Sequence, residues 1–210
     1  TNKFSHLKVG IAVPIQLMIQ SDYSGIMFTV NPITNNREEV SVEAAYGLGQ
    51  PIVSGEITPD QYIVNKKSKK ITSRQVVNKT WQLTKSGKTP VSKKYQKKQV
   101  LTNKQIVNLA KIGMKLEYHY KHPQDIEWGI EDEKIYIVQT RPVTTLTFKT
   151  EQEYKIDPKK RSNPIIQGLS ASPGIASGKV RIIRKSSEIN KVKKGEVLVV
   201  EMTNPDYVPA

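Results

Sequence analysis

Short runs of apolar and polar residues fill the first third of the chain, and their spacing predicts strands rather than helices. Ile11 to Ile19 (IAVPIQLMI) is apolar and β-branched and reads as a strand, with Pro14 placing it at an edge or a bulge. Ser21 to Gly25 reads as a turn. Ile26 to Val30 is a second strand, stopped by Asn31-Pro32, and Glu39 to Ala45 alternates as a third. Gly47, Gly49 and Gly55 punctuate a loop, after which Gln61 to Asn65 and Lys70 to Val77 predict a strand pair. Residues 79 to 99 show no period and read as a long loop or irregular hairpin.

Leu101 to Tyr120 carries the helical period. Ile106, Leu109, Gly113, Leu116 and Tyr120 form one face, Thr102 and Gln105 have capping-box spacing, and His122-Pro123 ends the run. Asp125 to Ile130 and Lys134 to Arg141 predict a hairpin around Glu131-Asp132-Glu133. Residues 147 to 163 are polar and read as a linker. A small-residue pattern from Pro164 (GLSASPGIASGKVRII) precedes a strand, a helical turn at Ser187 to Val192 and a strand at Val197 to Val200. That last region has only 47 residues, few for a core of its own. The fold class expected is α+β.

Charge changes the picture in one place. The chain of 210 residues has a net charge of +14, and residues 61 to 116 hold 15 basic residues and no acid, leaving the rest nearly neutral. Such a stretch could neutralise nucleic-acid phosphates. Lys outnumbers Arg there, however, and Trp81 and Tyr95 are too isolated to form a stacking platform, so a solvated lysine-rich surface is the expected reading. There is no cysteine, which excludes disulfides and thiolate sites and fits a cytoplasmic setting. No apolar run suits a membrane span or a signal peptide. Thr1 in place of a methionine suggests a piece cut from a longer chain.

The chemistry concentrates in the 125 to 141 hairpin. Alternation puts Asp125 and Glu127 on one face of their strand, and Gln139 and Arg141 on one face of the next. With a turn centred on Asp132, Asp125 falls opposite Gln139, while Ile126, Trp128, Ile130, Tyr136 and Val138 point to a core. Carboxylates and an amide oxygen suit Mg²⁺, and a guanidinium suits phosphate. On spacing alone, a nucleotide site and a charged surface hairpin both stay open. The glycine loop at 47 to 55 fits neither of the standard phosphate-loop patterns. His6, His119 and His122 lack ligand spacing and read as structural.

Five collinear strings carry a resemblance: VPIQLMIQSDYSGIMFTVNPIT, VEAAYGLGQPIVSGEITPDQYIV, DIEWGIEDEKIYIVQTRPVTTL, GLSASPGIASGKV and GEVLVVEMTNPDYVPA. In order and spacing the chain resembles the phosphoenolpyruvate synthase (pyruvate, water dikinase) family, whose relatives include pyruvate phosphate dikinase and the rifampin phosphotransferases. The resemblance implies the C-terminal part of an ATP-grasp nucleotide-binding domain over residues 1–146. It implies the linker at 147–163 and the truncated start of a swivelling phosphohistidine domain over 164–210. It implies ATP as substrate, Mg²⁺ as cofactor, and pyruvate bound outside this chain. Glu127 and Gln139 match the metal ligands, Arg141 the phosphate-contacting arginine, and Asp125 its acidic neighbour. Gln16, Met18 and Ile19 match the hinge strand along the adenine edge, and Glu43 matches a motif near the nucleotide. The family's phosphate-binding lysine and its phosphoryl-carrying histidine have no counterpart in the sequence, so a dikinase fragment, inactive alone, is expected.

Overall fold

The computed structural model describes residues 12–143 and 175–200 (except 185), with the single positions 10, 166 and 168. Expectations for His6, the linker and residues 201–210 lie outside the described residues. The larger part is a six-stranded sheet in the order β4-β3-β2-β1-β7-β8, with every pairing antiparallel. Its strands are β1 (Tyr23–Phe28), β2 (Glu39–Tyr46), β3 (Asp60–Asn65), β4 (Ile71–Gln75), β7 (Gln124–Glu131) and β8 (Lys134–Pro142). Between them lie α1 (Gln50–Val53), the hairpin β5 (Trp81–Thr84) and β6 (Gly87–Pro90), α2 (Lys93–Gln96) and α3 (Asn103–Tyr120). The content is mixed α and β, mostly sheet.

The helix α3 forms where the capping box stands. Thr102 Oγ1 accepts from the Gln105 N–H at 3.2 Å, and the Gln105 side chain accepts from the Thr102 N–H at 2.8 Å. Its buried face is Ile106, Leu109, Ala110 and Gly113, packed on Met27, Val42, Tyr62, Ile126, Trp128 and Ile130 from one face of the sheet. At Gly113 the helix comes so close that an added Cβ would stand 2.9 Å from Met27 Sδ. Tyr120, expected on this face, is exposed; Tyr118 and His119 beside it are exposed too, so the last turn projects past the core whatever its phase. Lys121 in left-handed conformation caps the helix.

Three further expectations are corrected. Residues 12 to 20 form no strand, and Ile15 and Leu17 are each 97% exposed. Both sides of β1, the strand this run leads into, are already paired, with β2 and β7, and Pro14 has no N–H to offer, so the run cannot add a strand beside β1. The residues expected to turn before the second strand instead start it, since β1 begins at Tyr23. Residues 79 to 99 are more regular than expected. Thr84 pairs with Gly87 across Lys85-Ser86, and Gly87 has φ 94°.

Lys79 departs furthest from the expected solvated lysines. It is 2% exposed and ion-paired to Asp60, which is itself wholly buried. Asp60 also accepts hydrogen bonds from the Tyr62 hydroxyl (2.9 Å), the Val77 N–H (3.0 Å) and the Val100 N–H (2.9 Å). One carboxylate therefore ties both ends of the 77–100 segment to the sheet.

In the C-terminal region, β9 (Lys179–Ile182) pairs in parallel with β10 (Glu196–Val199), joined through a 3-10 turn at Ser186–Lys191. Arg181 grips Glu196 with two nitrogens, at 3.0 and 2.6 Å, and this pairing is the main cause holding the carboxyl down at about 2.

Candidate nucleotide site

The hairpin of β7 and β8 turns through two residues, Asp132 and Glu133, both with positive φ (49° and 64°). Such a turn matches the twist of its flanking strands. It pairs Glu131 with Lys134, so the turn is centred one half-step later than the sequence suggested. A bulge then intervenes: Trp128 faces Ile137, yet Glu127 faces Gln139, with Val138 the extra residue.

The bulge reverses the alternation of β8. Ile135 and Ile137 lie opposite Ile130 and Trp128 on the core face, whereas Gln139 and Arg141, of the same parity, lie opposite Glu127 and Asp125 on the other face. Tyr136 and Val138, expected in the core, are 38% and 40% exposed; Ile137 is 36% exposed as well, and Ile135 is the residue of this run that packs against the core. Asp125 stands opposite Arg141, not Gln139, and accepts a hydrogen bond from Arg141 Nε at 2.8 Å.

The ladder registers extend this face across the sheet. One row runs Gln61, Glu43, Ile26, Glu127, Gln139; the next runs Ile63, Ser41, Phe28, Asp125, Arg141. Directly paired residues share a face, so Glu43, Asp125, Glu127, Gln139 and Arg141 all project from the side of the sheet opposite α3. Three carboxylates share this patch with one guanidinium in a chain of net charge +14. Burial raises the Glu43 pKa above its ordinary value, and the Asp125 charge adds to the rise.

Of the three hinge residues, only Ile19 approaches this face. Gly129 follows Glu127 on it, and a Cβ there would stand 2.4 Å from Ser21 Oγ and 3.8 Å from an Ile19 methyl. The 19–21 segment thus crosses the sheet over a glycine beside Glu127. Gln16 and Met18 are exposed. The glycine loop closes the same end: Ser24 Oγ donates to the Gly47 carbonyl at 2.7 Å, and Gly47 N–H donates to the Asp22 carbonyl at 2.8 Å. His119 and His122 are exposed; the His119 ring packs edge-on against Tyr120, and His122 Nδ1 lies 3.1 Å from the Pro123 carbonyl.

The donors suit a hard divalent cation. Glu127 and Gln139 are paired across the hairpin and carry a carboxylate and an amide oxygen on the same face, the kind of oxygen donors such an ion takes. Among the described residues no three acidic or imidazole side chains gather closely enough to hold a metal alone. A cation here would complete its shell with water or substrate oxygens.

Comparison with known families identifies the context. The family model described as "Pyruvate phosphate dikinase, AMP/ATP-binding domain" matches residues 1–162. The chain belongs to this AMP/ATP-binding domain family. Among curated relatives, the probable phosphoenolpyruvate synthase of Pyrococcus abyssi is 47% identical over 99% of the chain, and the phosphoenolpyruvate synthase of Pyrococcus furiosus is 44% identical over 99%. The phosphoenolpyruvate synthase of Aquifex aeolicus is 36% identical over 98%. In all three the chain spans 27% of the relative's length. Glu43, Asp125, Glu127, Gln139 and Arg141 all lie within the matched residues. Sequence reasoning missed the Asp60–Lys79 pair, which no motif marks, and the bulge at Val138, whose one trace was the out-of-phase apolar run IYIV.

Proposed function

We propose that this chain supplies the triphosphate-holding side of the ATP site in a phosphoenolpyruvate synthase, within an ATP-grasp domain spanning 1–146. In this reading 147–163 is a linker and 164–210 begins the swivelling phosphohistidine domain. The observation that carries it is the pairing of Glu127 with Gln139 and of Asp125 with Arg141 on one sheet face of an AMP/ATP-binding domain. The names of the relatives support the synthase over other acceptors.

Glu127 and Gln139 would hold Mg²⁺, and Glu43 adds negative charge from further along the same row. The ion, when bound, offsets charge on the triphosphate. Arg141 reaches the phosphates with its terminal nitrogens while Asp125 fixes the Nε side, leaving the fork aimed. The segment around Ile19 borders the base. In the whole protein, the β-phosphoryl group of ATP passes to a histidine and then to pyruvate, and water takes the terminal phosphate. ATP, pyruvate and water thus become AMP, phosphate and phosphoenolpyruvate. A cytoplasmic enzyme is part of the same proposal.

The test is product analysis on the full-length protein. AMP and phosphate should form in equal amounts with phosphoenolpyruvate. Glu127→Ala and Arg141→Ala should each slow ATP use by about a hundredfold or more, the scale of losing one preorganised electrostatic contact. ADP as sole nucleotide product, or near-normal turnover in both variants, refutes the proposal.

A further inference from the structure

Between α3 and the turn joining β3 to β4 lies an open groove of about 530 Å³, lined by Lys69, Lys111, Met114, Lys115 and Tyr118. Two of its lysines sit one helical turn apart on α3, and the third arrives from a turn some forty residues earlier. Glu117 is the only acid on α3, and it is engaged with Lys66 at 2.6 Å. That pair does two things. It pins the β3–β4 turn to the helix, and it removes the one nearby carboxylate that could neutralise the groove. Among the described residues Lys69, Lys111 and Lys115 have no acidic partner.

The turn itself is rigidly specified. Lys69 takes a left-handed φ of 56°, its N–H donates to the Asn65 carbonyl at 2.8 Å, and Asn65 Oδ1 accepts from the Ser68 N–H at 2.9 Å. Lys69 is therefore held beside the helix rather than swinging free of it. The remaining wall is not charged. Met114 packs partly against the core, and the ring of Tyr118 is 82% exposed, with Lys121 Nζ 5.7 Å from its centroid. Three lysines thus share the groove with Met114 and an exposed tyrosine, and a fourth cation, Lys121, stands beside that ring. A ligand fitting this would carry several negative charges and a flat ring system, one to pair with ammonium groups and the other to stack on tyrosine. The groove lies on α3, across the sheet from Glu127 and Arg141, so it is separate from the candidate nucleotide site.

We propose that this groove is a second, non-catalytic binding site for a nucleoside polyphosphate. The lysines take the phosphates and Tyr118 takes the base. The proposal does not depend on the function assigned above.

The experiment is calorimetric titration of the full chain, in an Arg141→Ala background that mutes the other face, with ADP and with tripolyphosphate, both free of metal. ADP should bind, and more weakly as salt rises from about 0.05 to 0.2 M. The K69Q/K111Q/K115Q variant should lose at least about tenfold in affinity. A K85Q/K94Q/K98Q variant, with the same net charge, should keep it. All six lysines are exposed, so both variants should melt as the parent does. Tyr118→Ala should weaken ADP and leave tripolyphosphate unchanged. No ADP binding, unchanged affinity in the first lysine variant, equal losses in both, or a Tyr118 effect shared by the two probes would each overturn the proposal.

Discussion

Replacing Asp60 by Asn removes one buried charge and changes almost no volume. The carboxylate is fully buried, takes three hydrogen bonds from Tyr62, Val77 and Val100, and is ion-paired to Lys79, whose side chain is 1% exposed. In Asp60→Asn the ammonium stays buried with the Val77 carbonyl (2.8 Å) and without a counter-charge. Breaking a buried pair this way costs about 3–5 kcal/mol. The amide also forces an N–H₂ group against donors, which puts the cost toward the upper end. For a unit of this size each kcal/mol lowers Tm by about 3–5 °C, so the expected drop is about 10–25 °C. Lys79→Met should cost less, because the remaining carboxylate keeps three N–H or O–H donors. Urea unfolding of both variants and of the double variant measures this, and a coupling energy above about 1 kcal/mol is expected for groups in contact. Limited proteolysis should show cleavage appearing between residues 77 and 100. If Asp60→Asn melts within a few degrees of the parent, the argument that this pair fastens the segment is wrong.

Glu43→Gln should stabilise the protein at neutral pH. The folded state raises the Glu43 pKa, so its contribution to stability falls as pH rises from the unfolded carboxylate value through the folded one. The gain should therefore be present at pH 7 and vanish near pH 3 in paired urea titrations; a gain equal at both refutes the burial argument. Deleting Val138 should remove the bulge and restore simple alternation, turning Gln139 and Arg141 to the core side or dragging Ile135 and Ile137 out of it. Nucleotide binding by the full-length protein should then be lost, and binding as in the parent would contradict the role given to the bulge. Gly113→Val should cost about 1–3 kcal/mol in thermal or urea unfolding, since its methyls would enter the space of Met27 and Thr29; a neutral result would mean that α3 rides more loosely on the sheet.

Much of the local structure was legible because it depends on neighbours in sequence. The capping box at Thr102 and Gln105, the 3.6-residue stripe through Gly113 and the run Glu39 to Ala45 each encode an element within a few residues, and each stands near its expected place. The strands either side of Asp132 were legible for the same reason, as was the grouping of acids, amide and guanidinium on one hairpin. What the sequence left open depends on partners far along the chain. Whether Ile11 to Ile19 becomes a strand turns on a free edge, and β1 offers none.

Whether Asp125 meets Gln139 or Arg141 turns on a two-residue turn and one extra residue in β8. An alternation of period two cannot survive an insertion of one, and apolar residues on both sides of Val138 hide where that insertion falls. Lys79 looked like its fourteen basic neighbours in sequence, and only the arrival of Asp60 from β3 made it a buried ion. Helical and strand periods are properties of the chain's own backbone geometry; register, burial and charge pairing are decided by which distant segments the sheet brings side by side.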